Sequence, residues 1–117
     1  MSGTRSYHAG KTAEDQVCNQ YLATGHNVVA RRWRGRAGEL DLVMEKDGQV
    51  IVVEVKQSSS FARAMSALTA RQIGRIYRSA GDKLRHFPRG QLTPGRFDLA
   101  CVDGVGRIDI LENAIMP

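Results

Sequence analysis

Two alternating runs joined by an Asp-Gly turn, Glu39–Lys46 and Gln49–Lys56, restrict this chain more than any other feature. Asp47-Gly48 is a preferred two-residue hairpin connection, because both central residues of such a turn adopt positive φ. A loop of that length fixes the register, so partner residue numbers sum to 95. Leu40, Leu42 and Met44 then share a face with Val55, Val53 and Ile51. The opposite face pairs Glu45 with Val50, Val43 with Val52, Asp41 with Glu54 and Glu39 with Lys56. A slip of one residue would mix apolar and charged side chains on both faces. Toward the turn the second face also becomes apolar, so it is expected to be partly covered.

In this register Asp41 and Glu54 have Cβ atoms about 5 Å apart, and two carboxylates at that distance repel by roughly 3 kcal/mol at an effective dielectric of about 20. A fold with no use for the pair gains nothing from it. A hard divalent cation reverses the sign, since Mg²⁺ takes carboxylate and carbonyl oxygens and keeps several waters. Asp41, Glu54 and the Val55 carbonyl are the expected ligands of Mg²⁺ or Mn²⁺. Lys56, two residues after Glu54, projects from the same face and can place a positive charge beside a reacting oxygen. The bland alternative is a solvated carboxylate pair, with Glu39–Lys56 an exposed ion pair contributing about 0–1 kcal/mol.

Around the hairpin the pattern alternates between helix and strand. Thr12 is placed to cap a helix from about Ala13 to Thr24, with Asp15 three residues on and Gly25 at the C′ position. Its inward stripe reads Glu14, Val17, Cys18 and Tyr21, which sets a carboxylate on the apolar side. Residues 1–10 are expected to form a flexible lead-in. A short strand is expected over Asn27–Arg32, a loop at Gly35–Gly38 and a polar turn at Ser58-Ser59-Ser60. A second helix is expected over Thr69–Phe87, stopped by Pro88, with Ile73, Ile76, Tyr77, Ala80, Leu84 and Phe87 inward. Arg96–Val102 and Arg107–Leu111 read as the last two strands. The order α-β-β-β-α-β-β predicts one α/β domain with a mixed central sheet flanked by helices.

Seventeen Lys and Arg stand against twelve Asp and Glu, a formal charge of +5. Arg31, Arg32, Arg34 and Arg36 crowd one short stretch, and Arg71, Arg75 and Arg78 face outward on the second helix. Arginine suits bidentate contact with phosphate, so this field favours a polyanion, nucleic acid above all. Trp33, among these arginines, reads either as a base-stacking platform or as a core or loop-anchoring residue. No apolar run approaches the ~20 residues that a membrane span requires, and the N-terminus has no signal-peptide core. A cytoplasmic protein without a membrane partner is expected. Cys18 and Cys101 have neither disulfide-framework nor zinc-site spacing and read as small buried hydrophobes.

Gly38-Glu39-Leu40-Asp41-Leu42-Val43, Val52-Val53-Glu54-Val55-Lys56 and Arg96-Phe97-Asp98, with Ala13-Glu14 upstream, resemble the YraN family of small bacterial proteins. The resemblance runs from about Gly10 to Leu111. It implies the restriction-endonuclease-like fold of the PD-(D/E)XK superfamily, similar in core to archaeal Holliday-junction resolvases, with an α-β-β-β-α-β core. It also implies that Asp41 and Glu54 bind metal, that Lys56 is catalytic, that Glu14 is a helix-borne fourth member, and that Glu39 is an accessory neighbour. Gln57-Ser58 stand where the family often has Thr-Arg, and Arg71-Gln72 lie where a helix lysine is common.

The function so implied is Mg²⁺- or Mn²⁺-dependent hydrolysis of phosphodiester bonds in DNA, branched or linear. A small domain without a sequence-reading motif would recognise backbone and shape. The competing expectation is a nucleic-acid-binding module that keeps the nuclease fold without catalysis. Monomer and homodimer are both open.

Overall fold

The computed structural model describes residues 2–114, with side chains from residue 12 onward apart from that of residue 91. The elements run α1 (Ser2–Ala23), β1 (Asn27–Arg34), β2 (Glu39–Lys46), β3 (Gln49–Gln57), α2 (Phe61–Ser66), α3 (Ala70–Leu84), a 3₁₀ turn (Gly90–Leu92), β4 (Gly95–Val102) and β5 (Ile108–Leu111). The five strands lie in the order β1-β2-β3-β4-β5. All neighbours are antiparallel except β3 and β4, whose parallel pairing requires the crossover made by α2 and α3. This is a mixed α/β fold containing the expected α-β-β-β-α-β core.

The hairpin has the expected register, from Leu42↔Val53 through Lys46↔Gln49. Asp47 and Gly48 have φ of 52° and 80°, the two positive values that a tight hairpin turn demands. Both sheet faces are covered. On one, Leu42, Met44, Ile51 and Val53 bury against Val17, Cys18 and Tyr21 of α1. On the other, Val43, Val50 and Val52 bury with Ile76 of α3 and with Phe97 and Leu99. Each such side chain contributes about 1.5–3 kcal/mol when fully buried, so these two layers hold the helices on the sheet. Cys18 and Cys101 are free and buried, as their surroundings in the sequence suggested.

Three expectations are corrected. Thr12 does not begin α1, and residues 2–10 are helical rather than a loose lead-in. No proline interrupts that stretch, and its two glycines, Gly3 and Gly10, cost only about 1 kcal/mol each in a helix. The predicted stop does hold: Gly25 has φ 87°, and the N–H groups of Gly25 and His26 donate to the carbonyls of Leu22 and Tyr21, a Schellman closure. Second, α2 was not anticipated, because six residues carry too little periodicity to read. Its signal is Ser60, whose hydroxyl accepts from the Arg63 N–H at 3.2 Å. Third, α3 ends at Leu84 rather than Phe87, since Pro88 forbids the preceding residues a continued helix. Its start is as expected, with Thr69 and Gln72 capping each other's backbone N–H groups.

Candidate carboxylate and lysine site

β2 and β3 part at the level of Asp41 and Glu54. The paired ladder stops at Leu42↔Val53, one pair short of the expected Asp41–Glu54 partnership. Continuing the register would give the Val55 N–H to the Leu40 carbonyl. Instead that N–H donates to Asp41 Oδ2 at 2.9 Å. Alternation breaks with it: Leu40, expected beside Leu42 and Met44, joins Val43, Val50 and Val52 in the core under α3.

The β1–β2 ladder also lacks its pair at this level. Arg32 falls between the pairs Arg31↔Leu42 and Trp33↔Leu40, which sets it across from Asp41. Its φ is 50°, a left-handed value that costs a non-glycine residue on the order of 1–3 kcal/mol. Arg31 and Arg32 therefore both reach α1. Arg31 pairs with Asp15, and Arg32 Nε donates to Glu14 Oε2 at 2.9 Å. Trp33 turns to the other face, half-buried against the core with Lys83 Nζ 5.4 Å from its ring centroid. Its packing fits the core or loop-anchoring reading of the sequence.

Glu14 is 9% exposed, on the inner side of α1 where its spacing set it. Lys56 Nζ lies 3.5 Å from Glu54 Oε1. Lys56 is thus Glu54's neighbour rather than a partner of Glu39, which is exposed at the start of β2 across from Arg34. Glu39 is not gathered into the cluster.

The electrostatics follow from this crowding. Burial pushes the Glu54 carboxyl up to about 7, Asp41's charge adds to the rise, and Lys56 opposes it. Burial also raises Asp41, against the pull of the Val55 N–H, with Glu14's charge adding to the rise. The two acids are close enough for a protonated Glu54 to share its proton with Asp41. An acid raised in the folded state costs nothing below its unfolded value of 4.5 and costs fully above about 7. In chelator, stability should therefore fall as pH rises across that window, by roughly 3 kcal/mol for a shift of this size. Melting temperatures at pH 5 and pH 7.5 for wild type and Glu54→Gln test this prediction. An equal decline in the variant would assign the slope to other groups.

Two half-buried carboxylates this close together supply oxygen donors of the kind Mg²⁺ or Mn²⁺ takes. Glu14 does not complete a trio. Among the described residues, no group of three or more His, Cys, Asp or Glu side chains is placed to hold a metal.

Of the predicted phosphate contacts, Arg34, Arg36, Arg71, Arg75 and Arg78 are exposed. Arg31 and Arg32 are committed to the acids of α1, which weakens their part in the expected basic patch. Arg75 lies along the β1–β2 loop: a Cβ on Gly38, whose φ is 149°, would come within 2.7 Å of Arg75 Cδ. Arg75 of α3 therefore borders the loop that carries Arg36.

Sequence reasoning assigned no role to Asp98, which is wholly buried. It accepts from Tyr21 Oη at 2.7 Å, from Arg96 Nε at 2.8 Å and Nη2 at 3.0 Å, and from the Asn113 N–H at 3.0 Å. Burial first, then Asp98, hold the Tyr21 phenol well above its usual range. Arg two residues before Asp on one strand was the available signal.

Fold and site together define a small α/β domain with strand-borne carboxylates and a lysine where two strands separate. The chain belongs to UPF0102, an uncharacterised protein family, whose family model matches residues 13–102 and so spans Glu14, Asp41, Glu54, Lys56 and Asp98. It is 53% identical over 114 residues to a UPF0102 protein of Cereibacter sphaeroides, covering 97% of each chain. A UPF0102 protein of Ruegeria pomeroyi is 52% identical over 112 residues, 96% of this chain and 91% of the relative. One from Dinoroseobacter shibae is 40% identical over 114 residues, 97% and 85%. Among the described residues no helix is long and apolar enough to cross a membrane.

Proposed function

We propose that this UPF0102 protein is a divalent-metal-dependent nuclease that hydrolyses phosphodiester bonds of DNA in the cytoplasm. The observation that carries the proposal is the Asp41–Glu54 pair at the parting of β2 and β3, with Lys56 3.5 Å from Glu54. It is the arrangement that the resemblance to YraN proteins and the restriction-endonuclease-like superfamily implies. Mg²⁺ or Mn²⁺ held by Asp41 and Glu54 would polarise the phosphate and lower the pKa of a water. Asp41 is oriented for this by the Val55 N–H, which leaves its other oxygen uncommitted to that bond. Lys56 sets a fixed positive charge at the reacting centre. Arg34, Arg36, Arg71, Arg75 and Arg78 hold the flanking backbone through phosphate contacts, which position the substrate without reading its sequence.

The test is a cleavage screen with Mg²⁺ or Mn²⁺ over linear, flapped and four-way DNA, with Asp41→Asn alongside. Mn²⁺ should raise the melting temperature of wild type, equivalent to about 2.7 kcal/mol at a hundred times Kd, and should not raise that of Asp41→Asn. Salt should weaken DNA binding steeply, and each phosphate contact removed among Arg71, Arg75 and Arg78 should lower the log–log slope by about one. Binding with an unchanged slope would move the footprint elsewhere. Salt-dependent binding without cleavage or any Mn²⁺ response would instead make the protein a binding module.

A further inference from the structure

We infer that Arg32 keeps Glu14 out of the metal site until a substrate phosphate claims its guanidinium, so that phosphodiester binding recruits a third carboxylate. The inference rests on the metal-site reading above and adds a device to it. Three observations converge. Arg32 stands across the sheet from Asp41 and holds a left-handed backbone, φ 50°, that arginine does not favour. A strained conformation persists only where its surroundings over-determine it, and such residues cluster at functional sites. The consequence of the strain is visible: Arg32 faces α1 together with Arg31, and its Nε meets Glu14 Oε2 at 2.9 Å.

Glu14 itself is close enough to Asp41 for its charge to act there. Yet it does not join Asp41 and Glu54 in a three-donor group, and Arg32 is the partner that occupies it. The Arg32 side chain is 39% exposed while that of Glu14 is 11% exposed, so the cationic half of the pair is the half a ligand can reach. The two non-bridging oxygens of a phosphodiester offer guanidinium the same bidentate geometry as a carboxylate. When phosphate takes Arg32, Glu14 is left with a buried charge and no partner, and a divalent cation beside Asp41 is the nearest remedy. Metal and phosphodiester should then strengthen each other's binding by one common factor, as linkage demands.

The experiment is a double-mutant cycle on Mn²⁺ affinity, read from melting temperatures without nucleic acid, so that no turnover is needed. Arg32→Asn suits the left-handed backbone and removes the charge. It should tighten Mn²⁺ roughly 5- to 10-fold, a coupling at the low end of the usual range. Glu14→Gln should change Mn²⁺ affinity less than about 2-fold in wild type, yet reverse most of the gain in Arg32→Asn. Arg32→Gly, for which φ 50° carries no penalty, serves if the Asn variant does not fold. A purely structural Arg32 predicts lower stability with unchanged Mn²⁺ affinity, and that result overturns the inference while leaving the metal site standing. No Mn²⁺ response in any variant overturns the metal-site reading, and the inference with it.

Discussion

Replacing Asp98 by alanine is expected to cost about 3–5 kcal/mol of stability, the range for breaking a buried ion pair by removing one partner. Against a total of about 5–15 kcal/mol for a typical domain, that is a large share of the stability, and at the low end of the range a measurable fraction of the population would unfold. The loss has several parts. Asp98 is fully buried and accepts four hydrogen bonds, from Tyr21, twice from Arg96, and from the Asn113 N–H. Without it the Tyr21 phenol has lost its acceptor, and among the described residues the Arg96 guanidinium keeps only Glu112 at 3.8 Å. Glu112 is 69% exposed and cannot replace a desolvated partner. Tyr21→Phe removes one hydrogen bond without stranding a charge, so it should cost only about 1 kcal/mol. Urea unfolding of both variants separates these magnitudes. A loss below that of Tyr21→Phe for Asp98→Ala would show the network to be dispensable. The network also reaches the site indirectly, because Tyr21 and Glu14 lie on one face of α1, about 10 Å apart along its axis. Fastening Tyr21 to β4 fixes the helix that presents Glu14.

The hairpin was legible because its turn, its length and its two-residue periodicity all specify one register. Glu14, Asp41 and Glu54 stood out as candidates for a related reason: a carboxylate on an apolar helix stripe and like charges opposite one another are locally unfavourable. What alternation could not show is where it fails. Nothing in Leu40-Asp41 announces that Asp41 will take the Val55 N–H and send Leu40 to the other core. Nor does Arg32 announce a positive φ, which asparagine or glycine would have signalled. The four-arginine cluster shows the same limit. Charge density in a sequence does not reveal that Asp15 and Glu14, sixteen and eighteen residues earlier, come back to neutralise half of it. The Asp98 network joins residues 77 apart, and that distance is beyond any periodic argument.

Lys56→Met is expected to reduce cleavage by a factor on the order of 10² or more, comparable to losing one preorganised electrostatic donor. Methionine keeps much of the stem's packing and removes only the charge. Lys56 Nζ is 3.5 Å from Glu54 Oε1 and 27% exposed, so it is held in place yet open to a substrate on the side away from the core. Charge that develops on the phosphate during reaction is what a fixed ammonium stabilises, and such a contact acts on rate more than on ground-state affinity. DNA binding, carried mainly by the exposed arginines, should therefore weaken only slightly. The rival view makes Lys56 a structural counter-ion of Glu54. That view predicts a Glu54 carboxyl raised further, since Lys56 is what opposes its rise, and hence a steeper loss of stability with pH. Both views allow that change, so stability alone does not separate them. The Mn²⁺-induced rise in melting temperature does not separate them either, because Lys56 is not a ligand and the rise should persist. The rate does. A Lys56→Met protein that still binds Mn²⁺ and DNA but cleaves as fast as wild type would remove Lys56 from the chemistry. One that binds both and cleaves a hundredfold more slowly places its charge at the reacting phosphate.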